Sequence, residues 1–148
     1  MVKVVASGVR VLATGVFDII HPGHIFFLET ARGLGDELIV IVSRDQIARK
    51  IKKKPIIPEE QRLAVVKALK PVDEAMLGDS EDIFKFIPEV KPDIIALGFD
   101  QDVDEDWLQS ELEKAGVSTQ IVRIKGKLDG DFYSTKRILS KIKDNVGA

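Results

Sequence analysis

Cysteine is absent from this chain, and its 148 residues include only two histidines, one tryptophan and one tyrosine. Without thiols there is no disulfide frame, no thiolate zinc site and no cysteine nucleophile, and two imidazoles alone do not close a zinc site. An excess of one charge is also missing, since Lys and Arg number 22 against 24 Asp and Glu, a net charge of −2. That balance exerts no global pull toward nucleic acid, so small metabolites are the expected partners. Long apolar runs are lacking too. None reaches the length needed to span a bilayer. The N-terminal MVKVVASGVRVLATG, interrupted by Lys3, Ser7, Gly8 and Arg10, has neither the core nor the cleavage pattern of a signal peptide. The expectation is a cytoplasmic protein with no nucleic-acid and no membrane partner.

What is present is a 45% apolar composition, enough for a core at this length. Short continuous apolar runs bounded by turn residues mark strands buried on both faces of a parallel sheet. They recur at 10–14, 37–43, 72–77, 93–98 and 120–124, and helical patterns lie between and after them at 23–33, 58–69, 81–90, 104–115 and 134 to about 143. The alternation predicts a single-domain α/β fold over residues 1–148, with a structured core over about 10–145. Its architecture is a doubly wound (Rossmann-like) parallel five-stranded sheet with helices on both faces. The segment 47–58, with Lys50, Lys52, Lys53, Lys54 and two prolines, reads as a mobile basic loop. Ligands in such folds bind beyond the carboxyl ends of the strands, where strand order reverses.

The segment Thr14 to Leu28, TGVFDIIHPGHIFFL, is the richest in chemistry. Two histidines three residues apart flank Pro22-Gly23 just where a strand hands over to a helix. Helix N-termini carry unpaired N–H groups and partial positive charge, which suit phosphate. Pro22 presets a helix-start φ, Gly23 lets backbone approach a ligand, and His21 and His24 add imidazole donors. Asp18 follows the strand end and is placed to position substrate or a divalent cation. Asp100 follows Gly98-Phe99 at a later strand end, where an acid accepts from ribose hydroxyls. Phe99 and Tyr133 are candidates to pack on a ring system. Ser134 and Thr135 open the last helix, as N-cap, as phosphate site, or both. The acidic run Asp102, Asp104, Glu105, Asp106 reads as the favoured charge of a helix start.

Gly15-Val16-Phe17-Asp18 followed by His21-Pro22-Gly23-His24 resembles the signature of the cytidylyltransferase-like nucleotidyltransferases. With EEQR at 59–62, LGFDQ at 97–101 and YST at 133–135, the chain is most similar to archaeal FAD synthases over nearly its whole length. The resemblance implies an HxGH nucleotidyltransferase fold, ATP and FMN as substrates, AMP transfer to give FAD and pyrophosphate, Mg²⁺ or a similar divalent cation arriving with ATP, and a homodimer. It implies catalytic roles for His21, His24, Lys52 and Lys54, the two lysines matching a Lys-x-Lys of related cytidylyltransferases. It adds Arg62 to the phosphate ligands and makes Gly15, Val16, Phe17, Pro22 and Gly23 part of the nucleotide site. Two other readings remain: cytidylyl or adenylyl transfer to another phosphorylated alcohol such as glycerol phosphate, and a nucleotide-binding module without turnover.

Overall fold

The run Glu37-Leu-Ile-Val-Ile-Val42 is buried along its entire length, as only a strand covered on both faces can be. In the computed structural model, which describes residues 8–51, 53–126 and 134–147, it is the second of five strands. These are β1 (Arg10–Gly15), β2 (Glu37–Val42), β3 (Glu74–Leu77), β4 (Ile94–Leu97) and β5 (Gln120–Arg123). All pairings are parallel and the order is β3-β2-β1-β4-β5.

Strand periodicity sorts the core into two layers. Val11 and Ala13 of β1, with Leu38, Val40 and Val42 of β2, pack against Leu28 and Ala31 of α1 (Pro22–Arg32) and Val66 of α3 (Glu59–Lys67), α2 being Asp45–Lys50. Leu12, Ile39, Ile41, Ile95 and Leu97 point the other way. They meet Ile87 and Val90 of α4 (Ile87–Val90) and Leu108 and Leu112 of α5 (Glu105–Lys114). Burial of each such Leu or Ile side chain stabilises the fold by about 1.5–3 kcal/mol. The chain winds outward from β1 to β3, then returns to the other side of β1 to build β4 and β5. The sheet is thus doubly wound, and its switch point lies between β1 and β4. A last helix, α6 (Thr135–Val146), completes the chain, and no helix among the described residues is long and apolar enough to cross a membrane.

Two expectations are corrected. The segment expected as a wholly mobile basic loop contains most of α2, because Ile47 and Ala48 are buried and anchor one helical turn, with Asp45 at its start and Arg49 and Lys50 at its end. Conversely, the helix expected over 81–90 shrinks to Ile87–Val90. Asp79 accepts from the N–H groups of Glu81 and Asp82, and Asp82 accepts from that of Phe84. These local side-chain bonds offer the backbone an alternative to the helix ladder.

Candidate active site

β1 ends at Gly15 and the chain turns sharply, with Phe17 at φ 55° and Ile19 at φ 44°. Left-handed backbone in an aromatic and a β-branched residue is rare and costs about 1–3 kcal/mol unless the surroundings enforce it. Here the enforcement is burial of Phe17. Its ring folds back over Gly15, where a Cβ would lie 2.8 Å from Cε2. Only glycine fits there. The far side of the Phe17 ring faces His24, with centroids 5.7 Å apart.

The two histidines form one unit. Nδ1 of His21 accepts the N–H of Gly23 at 3.0 Å, and Nδ1 of His24 accepts the N–H of His21 at 3.3 Å. An accepting nitrogen carries no proton, so each neutral ring holds its proton on Nε2. Among the described residues neither Nε2 meets a partner. The rings lie 3.9 Å apart at 33°. Burial holds the His24 pKa down to about 3, helped by the neighbouring His21, and burial lowers that of His21. Both are neutral donors at neutral pH.

This arrangement revises the expected phosphate cradle. Pro22 has no N–H, that of Gly23 is taken by His21, and those of His24 and Ile25 go to the His21 carbonyl at 3.0 and 3.3 Å. The opening amides of α1 are occupied, and the donors this motif has left are the two Nε2–H groups.

Asp18 does not present its carboxylate to the crevice as expected. Its two oxygens accept the N–H groups of Ile57 (2.9 Å) and Ile56 (2.8 Å), while its carbonyl accepts the Thr135 hydroxyl at 2.8 Å. One residue thereby joins the β1–α1 turn, the end of the basic segment and the start of α6. Arg62 also departs from its expected place among the phosphate ligands. It is 1% exposed and donates to the carbonyls of Ile57, Val16 and Ser43 and to Asp45. The guanidinium ties loops together, because burial demands an acceptor for each of its donors. Glu59 of the same EEQR block accepts from Arg44 and from the N–H of Asp45 at the start of α2.

Across the switch point, Asp100 and Phe99 are exposed beyond β4. Asp100 Oδ1 and the Phe27 ring of α1 both lie 3.7 Å from where a Gly98 Cβ would sit, so the two flank the turn that follows β4. Gln101 spans the crevice mouth. Its Oε1 accepts from Gly98 N–H and its Nε2 donates to Thr14 Oγ at 2.9 Å. Ser134 caps α6 by accepting from Arg137 N–H, as its type predicted, and Asp104 caps α5. Lys54 is exposed two residues before Ile56, within about 7 Å of chain from the Asp18 anchor. Lys52 and Tyr133 lie outside the described residues.

The fold therefore brings Gly15, Val16, Phe17, Asp18, the 21–24 motif, Asp100 and Thr135 to one sheet edge. Residues the sequence reading passed over are Thr14, Gln101, Asp45 and Arg123. The available signal was a polar residue inside an apolar strand, Thr14 in β1 and Arg123 in β5. An open, mainly apolar hollow of about 490 Å³ flanks His21, lined by Ile20, Pro22, Ile25, Phe26 and Glu29. A more polar one of about 390 Å³, with Arg44, Arg49, Asp79 and Ser80 in its wall, lies beyond β2 and β3.

A strand-to-helix turn bearing paired imidazoles at the switch point of this sheet belongs to a known class. The family model described as cytidylyltransferase-like matches residues 12–141, and the chain is a member of that family. More particularly, it is similar to archaeal proteins named FAD synthase. That of Archaeoglobus profundus is 62% identical over 138 residues, covering 93% of this chain and 88% of the relative. That of Archaeoglobus fulgidus is 54% identical over 136 residues, covering 92% and 98%. The crystal structure of a protein described as the lipopolysaccharide core biosynthesis protein of Thermoplasma volcanium superposes with a TM-score of 0.79 at 53% identity, over 83% of this chain and 100% of that one. A pantoate-β-alanine ligase of Thermus thermophilus shares the fold alone, with a TM-score of 0.56 at 15% identity over 89% and 61% of the two chains.

Proposed function

We propose that this chain is an FMN adenylyltransferase, forming FAD and pyrophosphate from ATP and FMN. The observation that carries the reading is the pair of imidazoles with Nδ1 tied and Nε2–H left to donate, on the turn after β1 at the β1/β4 switch point. The FAD synthases to which it is similar over most of its length supply the acceptor and the nucleotide. A phosphate oxygen of FMN attacks the α-phosphorus of ATP. The bond from that phosphorus to the bridging oxygen breaks, and pyrophosphate leaves with the electron pair. No protein nucleophile is required, and the chain's task is to align the reactants and stabilise charge on the equatorial oxygens.

In this reading the Nε2–H groups of His21 and His24 donate to the α- and β-phosphates. Neutral rings neutralise none of the triphosphate charge. That work falls to Lys52 and Lys54 and to a divalent cation. Among the described residues no three carboxylate or imidazole side chains stand together around one ion, and both Asp18 oxygens are engaged by amides. The residues suit a Mg²⁺ that travels with the phosphates, which is how this ion is usually held. It lowers the charge of the leaving group when bound. Asp100 accepts from the ribose hydroxyls, Phe99 and Tyr133 pack against a ring, and Thr135 and the α6 start border the phosphates. Asp18 and Arg62 act by holding the loops that carry these groups. The working form is a cytoplasmic homodimer.

The test is pyrophosphate release from ATP or CTP against FMN, glycerol phosphate and phosphopantetheine. FAD formation with ATP and FMN is expected. Turnover with CTP and glycerol phosphate, or nucleotide binding with no acceptor consumed, would replace this reading.

A further inference from the structure

Arg123 is the last residue of β5, and its side chain is 21% exposed. Its guanidinium lies under the turn that follows β4. Nη1 donates to the carbonyls of Gly98 (2.9 Å) and Gln101 (2.6 Å), Nη2 donates to that of Val103 (3.0 Å), and both Nε and Nη2 reach Glu105 at 3.2 Å. These acceptors run from the end of β4 to the first turn of α5. From the other side, Gln101 accepts from Gly98 N–H and fastens the turn to Thr14 of β1. The residues between the fastened points are Phe99 and Asp100, both exposed, with Asp100 folded back over Gly98.

Three carbonyl oxygens aimed at one cation repel one another when it is removed, and each is then free to rotate toward water. The turn would lose the shape that holds Asp100 over Gly98, while β4 and β5 keep their own ladder. We infer that Arg123 is a positioning residue for the nucleoside half of the reaction, fixing Asp100 against the bound ATP through the 98–103 turn. This rests on the adenylyltransferase reading for the identity of the nucleotide.

The experiment compares Arg123→Met and Arg123→Lys with Asp100→Ala and with the double variant Asp100→Ala/Arg123→Met. ATP affinity is measured by titration without FMN, and KM for each substrate by steady-state assay. Loss of a hydrogen bond to a charged group is worth roughly ten- to a hundredfold in binding. Arg123→Met is therefore expected to weaken ATP roughly tenfold or more, with KM for FMN and kcat held within about twofold, a split that general loosening of the fold does not produce. The double variant is expected to bind ATP no more weakly than Asp100→Ala alone, since Arg123 acts through that residue. Unchanged ATP affinity in Arg123→Met, or penalties that multiply in the double variant, overturns the inference. Should Arg123→Met fail to fold, Arg123→Lys decides, because a compact ammonium lacks the planar fork by which Nη1 and Nη2 reach Gly98, Gln101 and Val103 together: weakened ATP binding supports the inference and wild-type binding rejects it. If the wild-type chain binds ATP yet forms no FAD, the functional reading fails, and the titrations still judge Arg123.

Discussion

Arg62 Nη2 and Asp45 Oδ1 meet at 2.6 Å with the guanidinium side chain fully buried. The pair joins α3 to the start of α2, and the other donors of Arg62 reach the turns after β1 and β2. A lysine cannot reproduce this fork. Arg62→Lys is expected to cost about 3–5 kcal/mol and to lower the melting midpoint by roughly 10 °C or more. Calorimetry checks this, and a variant as stable as wild type would show that the loops hold without it.

The observed N-cap role of His21 and its proposed role as a phosphate donor can be separated by substitution. Asparagine is a favoured N-cap whose side-chain oxygen can accept the Gly23 N–H, but it lacks a donor where Nε2 stands. His21→Asn is expected to melt close to wild type while turnover falls roughly 10²–10³-fold, the usual effect of losing a donor to a developing oxyanion. His21→Ala should lose turnover and, in addition, about 0.5–2 kcal/mol of stability. Equal turnover in His21→Asn and wild type would remove the ring from the chemistry.

Acid should find the histidine pair first. In the unfolded chain His24 takes up a proton near its ordinary value of 6.5, whereas in the folded chain it resists until about 3. Protons therefore favour unfolding. The stability this ring contributes is complete above pH 6.5 and is lost as pH falls toward 3, at up to about 1.4 kcal/mol per pH unit. Denaturant midpoints measured across that window should fall less steeply for His24→Gln than for wild type. Parallel slopes would mean that the ring titrates normally.

Gly15→Ala tests the strained turn. Its new methyl would meet the Phe17 ring at 2.8 Å, and that ring lies against His24. Overpacking of this kind costs about 1–3 kcal/mol. Turnover should fall further than that stability loss accounts for if, as proposed, the imidazole that receives the displacement donates to phosphate.

Lys54→Ala should behave oppositely. The side chain is exposed, so its removal is expected to leave stability within about ±0.5 kcal/mol of wild type. KM for ATP should rise or kcat should fall if the ammonium meets phosphate, as steady-state assays would show.

The sheet was legible because burial on both faces leaves a plain mark: ELIVIV tolerates nothing polar after its first residue, and the 3.6-residue patterns between strands follow from helices with one covered side. The histidine motif was legible because Pro22 and Gly23 fix where its helix begins. What stayed hidden depended on partners distant in sequence. Nothing local says that Asp18 meets the amides of Ile56 and Ile57, 38 and 39 positions away. Nothing local says that Arg62 is buried. An acid and an arginine in a motif read as ligands, and only the fold shows that they answer to backbone groups and, for Arg62, to Asp45 as well. The 81–90 helix failed for a related reason, since Asp79 and Asp82 bond to nearby amides that the apolar pattern does not register.

The grip of Asp18 on two consecutive amides sets terms for redesign. A crossover segment transplanted between β2 and α3 from another transferase would need to arrive with adjacent N–H groups at the same height, whatever side chains it carried. Proline at either position 56 or 57 would break that latch without altering a single charged group. The exposed side chains of Lys53 and Lys54 are thus open to rewriting, while the latch itself has to travel unchanged.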